Sequence, residues 1–387
     1  MHTVLVTGAS GFIGRNLCVH LGNHADLTVL TAGRDTSKAT LCDAVSAADT
    51  VIHLAGVNRP LSNTDFDRGN VCYTKMLANL LASSVRPRRV IFASSVQAEN
   101  DSPYGCSKRR AEDYLRELSS SHPVDVSVFR LKNVFGKWCR PNYNSVVATF
   151  CHNIANDLPI EIHDPCRSLE LIFIDDVVRA IEHELRRPLD KNNFVFRGED
   201  IPSATISLGE LASKVQCFRQ MHTNLRIPDC SSNFSHQLYS TYLSYVGSAA
   251  AGYRLPVRQD ARGSLAEFIK SNTAGQIFVS RTRPGVTRGN HFHHTKTEKF
   301  LVLEGEGLIQ LRDLNSKSIV EHRVSGSDYY VVDIPPGYTH SITNVGECDM
   351  VTLFWASEIF DPNNADTFGL EVKRQSESSA AVRGNAA

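Results

Sequence analysis

The chain has 387 residues, of which 42% are hydrophobic and 21% charged, so it can bury a sizeable core, and a wholly disordered or collagen-like chain is excluded. Lysine plus arginine equals aspartate plus glutamate at 41 each, which leaves no net charge to hold the protein on nucleic acid or anionic lipid. No apolar run approaches the roughly 20 residues that span a bilayer. We therefore predict no nucleic-acid partner, no membrane segment and, at this length, two cores.

The ten cysteines are scattered without a CxxC pair, and at this chain length they predict reduced thiols rather than a disulfide framework. The stretch Met1–Val6 lacks a cationic segment and leads into a glycine motif, so we interpret it as a strand and not as a signal peptide. Both observations predict a cytoplasmic protein.

From residue 1 to 245, short β-branched runs alternate with helical patterns, which is typical of a parallel α/β sheet. The predicted strands are Val4–Thr7, Thr28–Ala32, Val51–Leu54, Val90–Ala93, Val126–Arg130 and Ile172–Ile174. The predicted helices include Gly11–Leu21 and Lys75–Ser83. This half is expected to be a doubly wound, Rossmann-type domain.

After a small-residue linker at Gly247–Gly252 the pattern changes, and residues 246–374 show strand-like runs separated by glycine, proline and asparagine turns. These runs are Gln276–Arg281, Lys299–Leu303, Leu308–Leu311, Tyr329–Ile334 and Asp349–Trp355. We predict an all-β barrel, followed by a disordered tail at 375–387 that lacks apolar periodicity.

A glycine motif joins the first strand to the first helix. Gly8 and Gly11 allow the backbone to turn and approach a pyrophosphate at the helix N-terminus, and Gly14 allows close helix packing. Because the motif stands between a strand and a helix, it favours a dinucleotide site over a structural turn, with Phe12 and Ile13 in the same segment.

The end of the second strand distinguishes the two nicotinamide cofactors, because an acid there binds ribose hydroxyls whereas an arginine pairs with a 2′-phosphate. Arg34 stands at that position and favours NADPH. Asp35 follows directly and could instead take the acid's role, which leaves NAD as the alternative.

A phenol and an ammonium, Tyr104 and Lys108, are four residues apart and so share one face of a helix. A lysine cation beside a tyrosine stabilises the phenolate and lowers a pKa that is ordinarily near 10. Such a pair is commonly only a solvated helix face. Here, however, Ser95 ends the fourth predicted strand, at the edge where such sheets bind ligands.

Together, the segments TGASGFIG and HLAG, the Ser-Ser pair and the tyrosine–lysine spacing resemble the extended short-chain dehydrogenase/reductases. The resemblance implies that Tyr104 is the catalytic acid/base, that Lys108 holds the cofactor ribose and that Ser95 hydrogen-bonds the substrate oxygen. It also implies that Leu54 and Ala55 line the cofactor site.

Members of that family usually act on nucleotide-diphosphate sugars, and Asn133 matches their substrate-binding asparagine. The family's 4,6-dehydratases carry an Asp-Glu pair after the catalytic hydroxyl, whereas this chain has Val96 and Gln97. The departure disfavours dehydration and leaves reduction or epimerisation.

A second set of residues predicts a metal site in the β-rich half. The spacing G-x5-H-x-H-x4-E-x6-G is formed by Gly285, His291, His293, Glu298 and Gly305. His291 and His293 share one face of a strand, and a later P-x-G-x2-H-x3-N segment adds His340. Three imidazoles and a carboxylate suit Zn(II), Fe(II), Mn(II) or Ni(II), with zinc as our first choice, whereas His294 is interpreted as a surface residue.

The two motifs resemble the cupin superfamily over about a third of the chain. In that superfamily the second motif usually opens with a glycine, but Tyr329 stands there and Gly326 lies further back. We interpret this difference as a changed turn rather than a lost site.

Three further stretches are His53–Pro60, Phe135–Asn144 and Leu353–Ala356. In these stretches, and over nearly its whole length apart from the tail, the chain resembles the bifunctional capsular-polysaccharide enzymes that make UDP-2-acetamido-2,6-dideoxy-β-L-talose on the route to UDP-N-acetyl-L-fucosamine. The resemblance implies a cupin domain that inverts C3 of a 4-keto sugar, a reductase domain that uses NADPH at C4, and a homodimer. It further implies that Asn58 and Arg262 contact the UDP-sugar; no base is assigned in the cupin domain.

Three alternatives stay open. The first is an NAD(P)-dependent 4-epimerase or reductase whose cupin only binds sugar or dimerises the chain. The second is a cofactor-sensing or scaffold protein without turnover. The third is a cupin dioxygenase, with which the metal motif alone is compatible.

Overall fold

A computed structural model of the chain describes residues 1–60, 62–83, 88–247 and 250–373, so the tail predicted at 375–387 lies outside the described residues. The chain forms two compact units: Met1–Gln216 with Asn233–Gly247, and Cys217–Ser232 with Ser248–Ala387. All ten cysteines are free thiols, as expected. In the described ranges, no helix combines the length and the apolar character that a bilayer span requires.

The first half of the chain alternates strands and helices, as predicted. In chain order they are β1 (His2–Thr7), α1 (Phe12–Leu21), β2 (Leu27–Ala32), α2 (Lys38–Ala47), β3 (Thr50–His53), α3 (Asn63–Phe66), a π-helical turn (Asp67–Cys72), α4 (Tyr73–Ala82), β4 (Arg88–Ser95), a 3-10 turn (Val96–Glu99), α5 (Pro103–Ser121), β5 (Val124–Leu131), β6 (Asn133–Phe135), α6 (Val146–Ala155), β7 (Ser168–Phe173), α7 (Ile174–Arg186), β8 (Phe194–Arg197), β9 (Ser203–Ser207), α8 (Leu208–Asn224) and α9 (Asn233–Leu243).

The main sheet of the first unit has the order β2-β1-β3-β4-β5-β8, with every neighbouring pair parallel. Because successive strand residues face opposite sides, Val4 and Val6 join one apolar cluster, with Leu17 of α1, while Leu5 joins a second cluster, with Leu77 of α4. Helices therefore cover both faces, which explains the nearly continuous apolar strands. The doubly wound prediction is confirmed.

One predicted strand has different partners from those expected. Ile172–Ile174 corresponds to β7, which lies in a separate three-stranded sheet of order β6-β7-β9, and β8 instead forms the edge of the main sheet. A short apolar run predicts a strand but carries no information about which strand it pairs with.

The second half is all β. Its strands are β10 (Val257–Asp260), β11 (Gly263–Ser271), β12 (Gly275–Thr282), β13 (Thr287–Phe292), β14 (Glu298–Glu304), β15 (Glu306–Asp313), β16 (Val320–Ser325), β17 (Val331–Ile334), β18 (Tyr338–Asn344), β19 (Met350–Ala356) and β20 (Phe368–Gly369). They form two antiparallel sheets, β10-β11-β12-β19-β14-β17 and β16-β15-β18-β13-β20. Inward side chains such as Phe300, Ile309, Ile342 and Phe354 fill the core, so the predicted cupin-type fold is confirmed.

The segment 217–232, which the sequence prediction placed in the first domain, groups with the second unit. The reason is backbone pairing with β11: the Ile227 amide donates to the Lys270 carbonyl at 2.9 Å, and the Lys270 amide donates to the Leu225 carbonyl at 2.8 Å. Composition and periodicity do not report such long-range pairing.

Candidate active sites

The glycine motif forms a tight turn at the start of α1. Gly8 has φ +72°, and a methyl group there would lie 2.7 Å from the Ala55 amide nitrogen. A methyl group on Gly14 would lie 2.3 Å from the Gly8 carbonyl oxygen. Gly11 caps α1 without a side-chain hydrogen bond, so the first amides of the helix remain available to an anion. This backbone cradle fits the pyrophosphate of a dinucleotide.

The other predicted cofactor residues surround this turn. Leu54 and Ala55, both half-buried, follow β3, where the Leu54 amide donates to the Thr7 carbonyl at 3.1 Å. Phe12 and Ile13, in the first turn of α1, pack against the core. Arg34 follows β2 and, like its neighbour Asp35, is exposed. Within this unit, then, the predicted residues occupy the carboxyl edge of the sheet, where such folds bind ligands.

Ser95 and Tyr104 meet at the same edge. Ser95 is the last residue of β4, and Tyr104 lies in the first turn of α5. Ser102 caps the N-terminus of α5, and its side chain accepts a hydrogen bond from the Gly105 amide. Burial raises the pKa of Tyr104, and its hydrogen bond with Ser95 lowers it in part. The phenol is therefore a proton donor next to a second hydroxyl.

Lys108 lies one turn after Tyr104 and is only 5% exposed. Its Nζ donates to the Ala93 carbonyl at 2.8 Å and lies 4.8 Å from the centre of the Phe92 ring. Burial lowers the pKa of Lys108 to about 8, and Glu112 opposes that change. The predicted lowering of the Tyr104 pKa by this lysine is not seen in the chain alone, because burial dominates and raises the phenol's pKa.

Sequence reasoning missed the support behind this pair. Glu112, one further turn along α5, is buried and accepts hydrogen bonds from Ser94 at 2.5 Å and from Arg130 at 2.6 Å. The spacing of four residues from Lys108 was the available signal. Asn70 of the π-helical turn, which no sequence pattern singled out, donates to Ser107 at 2.9 Å and accepts from the Val57 amide at 2.7 Å.

His53 is also buried, between the hydroxyls of Thr7 at 2.7 Å and Thr74 at 2.9 Å. Burial, followed by the charge of Lys108, lowers its pKa to about 3. His53 is therefore neutral at physiological pH and braces β3 instead of exchanging protons.

The three predicted substrate residues are all exposed. Asn58 lies in the loop after β3, and Asn133 begins β6, where its amide donates to the Glu170 carbonyl at 3.2 Å. Arg262 lies in the turn between β10 and β11 and binds the Asp260 carboxylate through two nitrogens, at 2.9 and 2.6 Å. None of these positions is shielded from a ligand by other side chains of its own unit.

In the second unit, the four predicted metal ligands come together. His291 lies at the end of β13 opposite His340 of β18, and Glu298 begins β14. One ligand atom from each of these residues and from His293 lies within 4.8 Å of the others. His293 and His340 are 1% and 0% exposed, so the cluster is inside the barrel rather than on its surface.

The hydrogen bonds of the cluster fit a divalent cation. His293 Nδ1 pairs with the Asp366 carbonyl at 2.5 Å and His340 Nδ1 with the Tyr338 carbonyl at 3.2 Å, which directs both Nε2 atoms inward. Both buried Nε2 atoms lie near one Glu298 oxygen, at 3.3 Å from His293 and 3.2 Å from His340, but within the described ranges neither makes a well-aligned hydrogen bond. An orphaned buried nitrogen is costly unless a ligand completes it, and a metal ion would do so.

Electrostatics favour the same donor set. Burial and the neighbouring His340 lower the pKa of His291 to about 4, so its ring is neutral and able to coordinate. Burial raises the pKa of Glu298, but the neighbouring imidazoles of His293 and His340 outweigh that effect and hold the pKa of this carboxyl below its ordinary value. The cluster thus presents a neutral His291 ring and an ionised Glu298 carboxylate, with the His293 and His340 rings beside them.

The described residues also bring His20, His24 and Glu182 together, but this cluster fits a metal less well. Its side chains are partly exposed, and His20 is already hydrogen-bonded to Glu182 at 2.6 Å. No buried nitrogen is left without a partner there.

Tyr329 and Gly326 form the changed turn before β17. Tyr329 takes a left-handed φ of +48°, and a methyl group on Gly326 would lie 2.6 Å from the Leu303 carbonyl oxygen. The turn therefore keeps a left-handed residue, and a glycine packed against β14, at altered positions.

Comparison with known proteins agrees with both halves. Residues 4–195 match the model of the NAD dependent epimerase/dehydratase family, and residues 258–368 match the polysaccharide biosynthesis C-terminal domain. The UDP-2-acetamido-2,6-beta-L-arabino-hexul-4-ose reductase of Pseudomonas aeruginosa is 42% identical over 369 residues, which cover 95% of this chain and 98% of that protein. The chain belongs to the family of this reductase.

A solved structure of the same architecture extends the agreement to the fold. The capsular polysaccharide assembling protein CapF from Staphylococcus aureus superposes with a TM-score of 0.88 at 42% identity. The match covers 95% of this chain and 100% of the CapF chain. UDP-glucuronic acid 4-epimerase from Bacillus cereus has a TM-score of 0.53 at 17% identity and shows the fold alone. The similarity to this reductase and to the CapF structure therefore covers both units of the chain.

Proposed function

We propose that the chain is a bifunctional nucleotide-sugar enzyme that acts on a UDP-2-acetamido-2,6-dideoxy-4-keto-hexose. The second unit inverts C3, and the first unit then reduces the C4 ketone with NADPH. The product is UDP-2-acetamido-2,6-dideoxy-β-L-talose, on the way to UDP-N-acetyl-L-fucosamine for a surface polysaccharide. The observation that carries the proposal is the presence of a Ser95, Tyr104 and Lys108 set and a buried His–Glu cluster in one chain related to a keto-sugar reductase.

In the first unit, side chains of the protein donate the proton and bind the oxygen that receives it. The turn formed by Gly8, Gly11 and Gly14 would hold NADPH, which would supply a hydride to the C4 carbon. Tyr104 donates its proton to the C4 oxygen as negative charge develops there, and the Ser95 hydroxyl hydrogen-bonds the same oxygen. The raised pKa of Tyr104 keeps the phenol protonated before the reaction. The protonated Lys108 supplies positive charge on the same helix face.

In the second unit the C4 ketone acidifies the C3–H bond, so removal of that proton and its return from the opposite face invert C3. His291, His293, Glu298 and His340 would hold a divalent cation, for which zinc is our first choice. Such an ion supplies Lewis acidity or barrel stability. Arg262, exposed at the β10–β11 turn, is the proposed contact to the sugar nucleotide.

The experiment is proton NMR in D2O with the 4-keto substrate, before and after NADPH is added. The proposal expects deuterium at C3 before the cofactor, then NADPH oxidation and a C4 alcohol. Reduction without prior exchange at C3 would leave the cupin-type unit with a binding or dimerising role. If neither exchange nor reduction occurs, the protein acts on a different sugar or has no turnover.

The cofactor preference is tested separately. Arg34→Ala should lower kcat/KM for NADPH by about tenfold or more while leaving that for NADH nearly unchanged, because only the former carries a 2′-phosphate. Asp35→Ala is the matched control: a selective loss with NADH would assign the ribose to the acid instead.

The homodimer is also part of the proposal, and light scattering on the purified chain measures it.

A further inference from the structure

The segment Asp366–Val372, which we name the C-terminal clamp, follows the last long strand and returns to the metal ligands. Its strand β20 pairs with β13, placing Gly369 opposite His291 and Phe368 opposite Phe292. The Leu370 amide donates to the Asn290 carbonyl at 2.9 Å. The strand that carries His291 is therefore held on one side by β18 and on the other by this clamp.

The Asp366 carboxylate binds the loop between two of the ligands. One oxygen accepts from the His294 amide at 2.9 Å. The other accepts from the Thr295 amide at 2.7 Å, the Thr295 hydroxyl at 3.0 Å and the Lys296 amide at 2.8 Å. Because this loop joins His293 to Glu298, the carboxylate fixes the backbone between two metal ligands.

The main chain of Asp366 acts on a ligand directly. Its carbonyl oxygen receives the Nδ1–H of His293, so the lone pair of Nε2 faces the cluster. Next to it, Lys296 Nζ donates to the Thr367 hydroxyl at 2.9 Å, and the Phe368 ring stacks on Phe292 at 5.4 Å. The clamp thus determines both the position and the tautomer of His293.

We propose that Asp366 is the positioning residue of the metal site: it holds the 293–298 loop in the ligating geometry before the cation binds. This inference rests on the metal site of the proposed function. It requires a carboxylate, because amide and hydroxyl donors approach both oxygens. An asparagine would turn its NH2 group toward at least one of those donors and lose that bond.

The test uses the full-length chain and Co2+ as the probe, because its visible spectrum reports coordination geometry. All titrations are done in a His20→Ala background, which removes the partly exposed surface cluster as a competing site. Asp366→Asn should bind Co2+ about 10- to 100-fold more weakly, with an altered visible spectrum, the usual cost of losing support behind a ligand.

Asp361→Asn is the matched control. Asp361 lies in the same C-terminal stretch and caps its own turn, accepting from the Asn363 amide at 2.9 Å. Its substitution should leave the Co2+ affinity and spectrum as in the parent chain. NADPH binding, which depends on the first unit, should be unchanged in both variants, and circular dichroism on each variant checks that the second unit is folded.

The outcomes separate the two proposals. Failure of the parent chain to bind Co2+, or binding unaffected by His291→Ala, overturns the metal site itself. Tight binding by Asp366→Asn with the parent spectrum overturns only the positioning role. Should Asp366→Asn fail to fold by circular dichroism, Thr295→Val removes one hydroxyl contact and is expected to weaken binding about 2- to 10-fold. Parent affinity in that variant then overturns the proposal.

Discussion

At the scale of single residues, α5 aligns three groups at intervals of four: Tyr104, Lys108 and Glu112. The pKa shifts of Tyr104 and Lys108 each have a physical cause. Burial makes the phenol a weaker acid and the ammonium a stronger one, and the buried carboxylate opposes the second change. The sequence spacing was sufficient to predict that Tyr104 and Lys108 share a face. It could not predict their pKa directions, because those depend on burial in the folded chain.

Removing the phenol should separate the two half-reactions. Tyr104→Phe is expected to lower reduction of the C4 ketone about 10²- to 10⁴-fold, because no proton donor then meets the developing alkoxide. Deuterium exchange at C3 should continue at the parent rate. NADPH oxidation and NMR measure the two steps on one sample. Tyr114→Phe, on the same helix, serves as the control and should change neither rate.

The buried ammonium of Lys108 should lower the free energy of unfolding at neutral pH. Its pKa falls from 10.5 to about 8 on folding, so between those values the unfolded chain binds more protons and stability rises with pH. Lys108→Met should therefore be more stable than the parent at pH 7, by about 1 to 3 kcal/mol. That advantage should shrink as the pH rises through 8.

Thermal unfolding at pH 7 and at pH 10 measures the effect. The exposed Lys75, whose ammonium lies 5.2 Å from the Tyr114 ring, gives the control Lys75→Met, which should show no such pH-dependent gain. Equal stability of Lys108→Met and the parent at both pH values would contradict the buried, destabilising charge.

At the scale of elements, local pattern predicted most strands and the two named helices but not every pairing. The strand β1 and the helix α1 were both predicted, because the β-branched run, the glycine motif and the helical pattern are all local features of the sequence. The sequence placed β7 in the main sheet and the stretch 217–232 in the first domain, whereas β7 lies in a separate sheet and 217–232 groups with the second unit, because their pairing is set by distant backbone. The cluster of His291, His293, Glu298 and His340 was predictable because its motif spacings place these residue types on neighbouring strands. The clamp residue Asp366 was not, because its partners are backbone amides far away in sequence.

A methyl group should be excluded at Gly14 of the nucleotide turn but tolerated at Gly33, which lies outside that turn. Gly14→Ala places a methyl group against the backbone of Gly8 and Ala9, so the turn must open. We expect a loss of about 2 to 4 kcal/mol in stability and at least a tenfold weaker NADPH affinity. Gly33, after β2, has no atom within 4 Å of such a methyl group, and Gly33→Ala should change stability by no more than about 0.5 kcal/mol. Cofactor fluorescence titration and thermal unfolding measure both; equal behaviour of the two variants would argue against a close-packed turn.

At the scale of the whole molecule, each compact unit contains its own core and its own candidate site. The first unit holds the two apolar clusters on either side of the parallel sheet, and the second holds the core between its antiparallel sheets. Under the proposed function, the two reactions would share one intermediate, the C3-inverted 4-keto sugar.

If that intermediate is free to leave, two variants that each lack one step should together restore the product. Tyr104→Phe retains inversion and lacks reduction; the double variant His291→Ala with His293→Ala retains NADPH binding and lacks inversion. Neither alone should form the C4 alcohol of the inverted sugar, whereas an equimolar mixture should do so, at a rate that depends on both concentrations. The filtered reaction of Tyr104→Phe, added to the double variant with NADPH, gives the same test in sequence. Product from the filtrate but none from the mixture would contradict independent sites, and no product from either would mean that the double variant has lost the reductase as well. Because the cupin-type unit has its own core, we expect that variant to keep an intact first unit and to complement.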